Sequence, residues 1–272
     1  MNISEEDFSF YKGFLDKNSG YNLCAEKSYL LENRLNEVLK CHCLAAISDI
    51  TVSLQKEPFG HIAQDVIEAM TVNETFFFRD QLPFEYFRKE LIPHMADIGK
   101  KRVVKMWSAA CSTGQEPYTI AMLMHEYKRV FPLLKYELTA TDINNRILAR
   151  ARRGVYTNLE VNRGLTEYYL NKYFTKDGTS WQISDELKTN MYFRPHNLKE
   201  KNKTTDKYDF VLLRNVLIYF DRDTKVQVLE NIKHSMQPGG YLLLGAAEHV
   251  PEEITGFRQC SEVRGLYHLG GS

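Results

Sequence analysis

Between Trp107 and Met122 the chain reads WSAACSTGQEPYTIAM: an apolar strand end, a turn of small residues, and a helix start. Ser108, Ala109, Ala110, Ser112 and Gly114 carry almost no side chain, so a ligand can come close to the backbone there. Glu116 and Pro117 stand where a helix opens, the acid at the positive end of the helix dipole and the proline in the first turn. Strand, small-residue loop and helix N-terminus together make the nucleotide crevice of a doubly wound α/β sheet. Taken alone, the segment fits an ordinary strand-to-helix turn equally well, and the residues C-terminal to it decide between the two.

Downstream the chain alternates. Arg102 to Trp107 and Tyr136 to Thr141 read as strands, each followed by a helical stretch, Tyr118 to Val130 and Ile143 to Arg153. Met191 to His196 is a further candidate strand. Phe210 to Leu213, in YDFVLLRN, is an apolar run of the kind buried on both faces. A helix over Thr224 to Met236 is expected to stop at Pro238-Gly239-Gly240, before a strand over Tyr241 to Leu244. Alternating strand and helix predicts a parallel sheet with helices on both faces. The rhythm breaks between about 158 and 190, where KDGTSWQISDELKTN suggests short strands and turns, an insertion.

Residues 1–72 read as a separate helical unit. Phe8, Tyr11, Phe14 and Leu15 form one apolar stripe, ended at Gly20, and Leu30, Leu31, Leu35, Val38 and Leu39 form another. His61 to Met70 is a further helix. The expected organisation is therefore a helical domain over 1–72, a linker over 73–100, and an α/β domain over 101–272.

Composition excludes several classes of function. Formal net charge is zero, which argues against a general nucleic-acid binder, although residues 1–72 total −5 and the rest +5. No apolar run reaches the roughly 20 residues of a membrane span, and the start MNISEEDFSF is acidic rather than signal-like, so a cytoplasmic protein without direct membrane insertion is expected. Five scattered cysteines make a disulfide framework unexpected. Cys41-His42-Cys43 has no second pair at ligand spacing, so no metal is expected.

The first strand-to-helix turn lacks the G-x-G-x-x-G spacing that seats a pyrophosphate, which disfavours a dinucleotide. Asp142, ending the second strand, stands where an acid accepts hydrogen bonds from ribose hydroxyls. Glu116 and Asp142 thus offer two carboxylates and no phosphate clamp, a pattern suited to a ligand with a ribose and a positive amino group, such as S-adenosylmethionine. The competing reading of Asp142 is a plain N-cap before Ile143.

Five motifs in order resemble the CheR family, the chemotaxis protein-glutamate O-methyltransferases. They are TVNETFFFRD (71–80), the WSAACSTGQEPY loop, ATDIN (140–144), ARRGVY (151–156) and LLRNVLIYFD (212–221). The resemblance covers nearly the whole chain. It implies a class I S-adenosylmethionine-dependent methyltransferase fold (a Rossmann-like doubly wound sheet) with an N-terminal helical domain and an inserted small antiparallel β-subdomain. It also implies S-adenosylmethionine as methyl donor, S-adenosylhomocysteine as product, and glutamates on the cytoplasmic helical domain of chemotaxis receptors as acceptors, in sensory signal transduction. By the same resemblance Asn73, Thr75, Arg79, Ala109, Glu116, Asp142, Asn197, Leu198, Arg214 and Asn215 are cofactor contacts. Arg79 and Tyr219 are the residues expected to orient the acceptor carboxylate. Core packing is the competing reading for Phe76 to Phe78 and for Tyr219.

The chain departs from the family in three places. The helical domain is acidic where the family's is commonly basic, Gly245-Ala246-Ala247-Glu248 stands where many members read Gly-His-Ser-Glu, and the loop between Phe174 and Trp181 is short. Members that dock on a receptor's C-terminal pentapeptide carry a longer, Gly-rich loop at this last place. The pentapeptide tether is therefore not expected to bind. Arg214-Asn215-Val216-Leu217 contains no proline, unlike the Asn/Asp-Pro-Pro-Tyr/Phe run of many amino-group methyltransferases. Two other readings use the same crevice: a methyltransferase of another protein or of a small carboxylate, and a non-catalytic cofactor-sensing adaptor.

Overall fold

The structure is a computed structural model and describes residues 3–270. It divides into two compact units, one formed up to Val72 together with Tyr219–Lys225, the other by Asn73–Ile218 and the chain from Val226 onward.

The first unit is helical: α1 (Glu5–Ser19), α2 (Ser28–His42), α3 (Ile47–Lys56) and α4 (His61–Met70). Ser4 caps α1 by accepting from the Asp7 N–H at 3.0 Å, and Gly20 closes it with an N–H to the Asp16 carbonyl at 2.9 Å. The apolar stripes do what their spacing predicts, burying Tyr11 and Leu15 from α1 and Leu31, Leu35 and Val38 from α2. His42 Nε2 meets Asp65 Oδ2 at 2.7 Å, tying α2 to α4, while Cys41 and Cys43 stay exposed.

The second unit holds a seven-stranded sheet. Its strands are β1 (Val104–Ala109), β2 (Tyr136–Asp142), β6 (Met191–Pro195), β7 (Tyr208–Leu213), β8 (Met236–Leu244), β9 (Phe257–Gln259) and β10 (Leu266–Leu269). Strands β3 (Val155–Thr157), β4 (Phe174–Asp177) and β5 (Ser180–Ile183) form a separate antiparallel sheet. The large sheet runs β6-β2-β1-β7-β8-β10-β9, parallel from β6 to β8 and antiparallel at β10 and β9. All six residues of β7 are buried, so both faces of the sheet are covered. The order reverses between β1 and β7, the topological switch point at which α/β sheets open a crevice beyond their strand ends.

The remaining helices are α5 (Leu82–Tyr86), α6 (Ile92–Gly99), α7 (Gln115–Tyr127), α8 (Asn145–Arg153), α9 (Asn158–Asn162), α10 (Glu167–Tyr173) and α11 (Arg222–His234). Much of the stretch between the helical unit and β1 is helical, burying Phe84, Phe87, Leu91 and Ile92 in the sheet's core. Three local expectations change. Pro238-Gly239-Gly240 does not precede a strand but lies inside β8, where the pairing with β7 shifts register and Gly239 takes φ +79. The small sheet begins at Val155, ahead of the expected insertion, and its segment also carries α9 and α10. The last two strands, β9 and β10, have no counterpart in the sequence-based reading.

Candidate active site

Register brings three strand ends level. Ala109, the last residue of β1, pairs with Thr141 on one side and Leu213 on the other. The residues that continue from this row are Ala110, Asp142 and Arg214, and their loops line the switch point.

Backbone strain gathers at the same place. Among the described residues other than glycine, positive φ occurs at Phe78, Asp80, Gln81, Ala110, Ser112 and Asn215, with Cys43 the one case elsewhere. Such conformations persist only where surrounding contacts enforce them, and they concentrate at binding sites. Gly114 at φ +94 completes the β1–α7 loop; a Cβ there would come within 3.1 Å of Ala151 Cβ and Tyr156 Oη. That loop is braced by the Tyr156 hydroxyl, which donates to the Thr113 carbonyl at 2.9 Å, and by the Cys111 N–H, which donates to the Thr141 carbonyl at 2.8 Å.

Glu116 lies in the first turn of α7, as its position after Gly114 predicts. Its Oε1 accepts from Ser108 Oγ at 2.8 Å and its Oε2 from Arg214 Nη1 at 3.1 Å. Burial pushes its carboxyl above the ordinary range, while Arg214 and Ser108 pull it back. Arg214 is almost wholly enclosed. Besides Glu116 its guanidinium donates to the Arg79 carbonyl at 2.8 Å and to Asp80 Oδ2 at 2.7 Å, and it lies over the Phe84 ring. Its Nε is a buried nitrogen with no hydrogen-bond partner among the described residues.

Asp142 is buried. Its Oδ2 accepts from the Ser112 N–H at 2.9 Å and its Oδ1 from the Asn144 N–H at 3.0 Å. The cap of α8 is Asn144, whose side chain accepts from the Ile147 N–H, so the N-cap reading of Asp142 does not hold. Ser112 also reaches the upstream segment, its Oγ donating to the Asn73 carbonyl at 3.2 Å. Thr75 and Arg79 are half-buried in that segment, and Arg79 donates to the Glu74 carbonyl at 2.9 Å. Phe77 is core, edge-on to Tyr156 and Phe174, whereas Phe76 stays partly open beneath two arginines.

Asn197 and Leu198 follow β6. Asn197 Oδ1 accepts from the Lys199 N–H at 3.1 Å, and Leu198 is buried with its carbonyl taken by Asn231. Asn215 sits directly after Arg214, its backbone N–H held by Glu248. Tyr219 is placed by its contacts in the first unit: its ring stacks on Tyr21 at 6.2 Å and its carbonyl accepts from the Asn22 N–H at 2.9 Å.

Sequence reasoning missed two supports. The buried Glu248 carboxylate accepts three backbone N–H groups, from Asn215, Leu217 and Gly245, each at 2.8 Å. Thr119 Oγ1 accepts from the Phe78 N–H at 3.2 Å, fixing the strained turn to α7. An acid shortly after a strand end is a detectable signal, but only the fold shows that it faces the loop after β7. Cys111 is buried, and that burial, with Asp142 and Glu116 nearby, drives its thiol well above the ordinary range and disfavours the thiolate.

The family model described as "CheR methyltransferase, SAM binding domain" matches residues 73–265. The chain belongs to the CheR methyltransferase family. Chemotaxis protein methyltransferase 1 of Vibrio cholerae is 38% identical over 251 residues, 91% of this chain and 90% of its own. Chemotaxis protein methyltransferase Cher2 of Pseudomonas putida is 36% identical over 252 residues, covering 91% and 92%. Among solved structures, the glycopeptide N-methyltransferase MtfA complexed with sinefungin aligns over 58% of this chain and 48% of its own, at 12% identity and a TM-score of 0.36. The cofactor of this CheR-family chain is S-adenosylmethionine. No helix of the described residues is long and apolar enough to cross a membrane.

Proposed function

We propose that this CheR-family methyltransferase forms methyl esters on glutamate side chains of the cytoplasmic helical domain of chemotaxis receptors. The observation that carries the reading is the row of strand ends at the β1/β7 switch point, with its small-residue loop and the acids Glu116 and Asp142 fixed beside it. Those residues fit the methyl donor by their chemistry. Carboxylates suit ribose hydroxyls and an ammonium group, and the unpartnered Arg214 Nε is a donor of the kind a ligand carboxylate takes. Asn73, Thr75, Ala109, Asn197, Leu198 and Asn215 complete the contacts we assign to it. Arg214 contributes chiefly as a positioning residue, through Glu116 and the 79–80 backbone.

When bound, S-adenosylmethionine supplies an electrophilic methyl group on a sulfonium. A glutamate acceptor, with a reference pKa of about 4.3, needs no general base at neutral pH. The work left to the protein is alignment and exclusion of water, because donor and acceptor charges cancel as the reaction proceeds. We assign orientation of the acceptor carboxylate to Arg79 and Tyr219. The two-residue turn Gly178-Thr179 joining β4 and β5 leaves no long Gly-rich loop, which supports action without a receptor pentapeptide tether.

The test is transfer of labelled methyl to a purified receptor cytoplasmic fragment, repeated with glutamines at the modified positions. Transfer lost in the glutamine fragment supports the reading, and transfer retained there overturns it.

A further inference from the structure

Arg163, just past α9, lies with Cζ 4.2 Å from the centroid of the Phe76 ring, and Arg79 Cζ lies 5.4 Å from the same centroid. Glu74 links the two cations. Its carboxylate accepts from Arg163 Nη2 at 2.9 Å, and its backbone carbonyl accepts from Arg79 Nη1 at 2.9 Å. The position of Arg163 is set by the residue beside it. Gly164 has φ +96, and a Cβ there would sit 1.8 Å from the Phe77 carbonyl oxygen, so the loop lies directly on the Phe76–Phe77 backbone. The insertion is thus built to deliver a guanidinium to the segment that carries Arg79.

The ion pair that Arg163 makes with Glu74 is easily exchanged. The arginine side chain is 52% exposed and that of Glu74 59%, and an ion pair so open to water contributes little. Stacking on Phe76 orients the planar fork in advance, which lowers the entropy cost of gripping a carboxylate.

We propose that Arg163 is a specificity-determining residue that binds a second carboxylate of the acceptor, flanking the glutamate that Arg79 orients and replacing Glu74 at the guanidinium. The inference rests on the carboxylate-methylation reading above, and it adds the acceptor class: an acidic segment rather than an isolated glutamate. Lysine is a poor substitute, because an ammonium neither stacks on Phe76 nor forms the two-pronged bond.

The test uses the full chain with a receptor cytoplasmic fragment and with a second fragment whose flanking acids are changed to amides. Arg163→Gln is expected to raise KM for the acidic fragment about tenfold, the value of one charge-assisted bond. Turnover at saturation, affinity for S-adenosylhomocysteine and Tm should stay unchanged, with the KM difference vanishing on the amide fragment and Arg163→Lys falling between. An unchanged KM, or an equal loss on both fragments, overturns the proposal. So does weakened S-adenosylhomocysteine binding, which would make Arg163 a brace for the 73–79 segment. If the wild-type protein methylates neither fragment, the parent reading fails. Calorimetric binding of the acidic fragment in the presence of S-adenosylhomocysteine then reads Arg163 independently, with about tenfold weaker binding expected for Arg163→Gln and equal binding overturning it.

Discussion

Arg214 Nη1 stands 3.1 Å from Glu116 Oε2, with the arginine side chain 2% exposed and the glutamate 12%. The pair joins the loop after β7 to the first turn of α7, and the same guanidinium holds Asp80 and the Arg79 carbonyl. Removing one partner of a buried pair leaves the other charge uncompensated and costs about 3–5 kcal/mol. Arg214→Ala should therefore lose stability on that scale in urea titration, with Arg214→Lys recovering only part of it. A loss below about 1 kcal/mol would mean that the network is not structural.

Glu116 should also leave a pH signature. Its folded carboxyl is raised above the ordinary 4.5, first by burial, so between 4.5 and the raised value the folded state binds more protons than the unfolded chain. Stability contributed by this group then falls as pH rises through that window, and below it both states are protonated and the penalty disappears. Glu116→Gln, which cannot ionise, should gain on the wild type as pH climbs from about 4 to about 7. Urea midpoints across that range check this; a constant difference would contradict it.

Asp142 serves the loop and, in the proposed function, the cofactor. Asp142→Ala should weaken S-adenosylmethionine binding by about 1.5–3 kcal/mol, the scale of a charge-assisted bond. Calorimetry would read this as a loss of roughly 10- to 150-fold. Unaltered affinity would confine Asp142 to holding the Ser112 and Asn144 N–H groups.

The Glu248 carboxylate accepts three backbone N–H groups, from Asn215, Leu217 and Gly245. Each buried donor left unsatisfied costs about 1–3 kcal/mol, so Glu248→Ala should destabilise by at least about 3 kcal/mol. It should also weaken cofactor binding, because Asn215 loses the contact that holds it at φ +58. A stable variant with wild-type affinity would show that the loop after β7 is held by other contacts.

The fold was legible where periodicity was long or burial two-sided. The stripes of α1 and α2 and the apolar run of β7 needed no tertiary information. Strands β9 and β10 escaped because three- and four-residue segments such as Phe257–Gln259 carry no readable alternation, and their pairing depends on β8. Pro238-Gly239-Gly240 misled because a bulge within a strand uses the same residues as a turn. At the site, Glu116 and Asp142 were visible from their places after strand ends. The burial of the Arg214 guanidinium, the triple bond of Glu248 to backbone and the delivery of Arg163 to Phe76 depend on long-range register and were not. Tyr219 was legible as a motif residue, whereas its stacking on Tyr21 required the helical unit to be folded.

The decisive measurement is peptide mapping by mass spectrometry of a receptor cytoplasmic fragment after reaction with S-adenosylmethionine, with and without mild alkali treatment. Carboxylate methylation predicts a methyl group on glutamate side chains that alkali releases as methanol, and its absence with Arg79→Ala. An alkali-stable methyl group, or one on nitrogen, would contradict it.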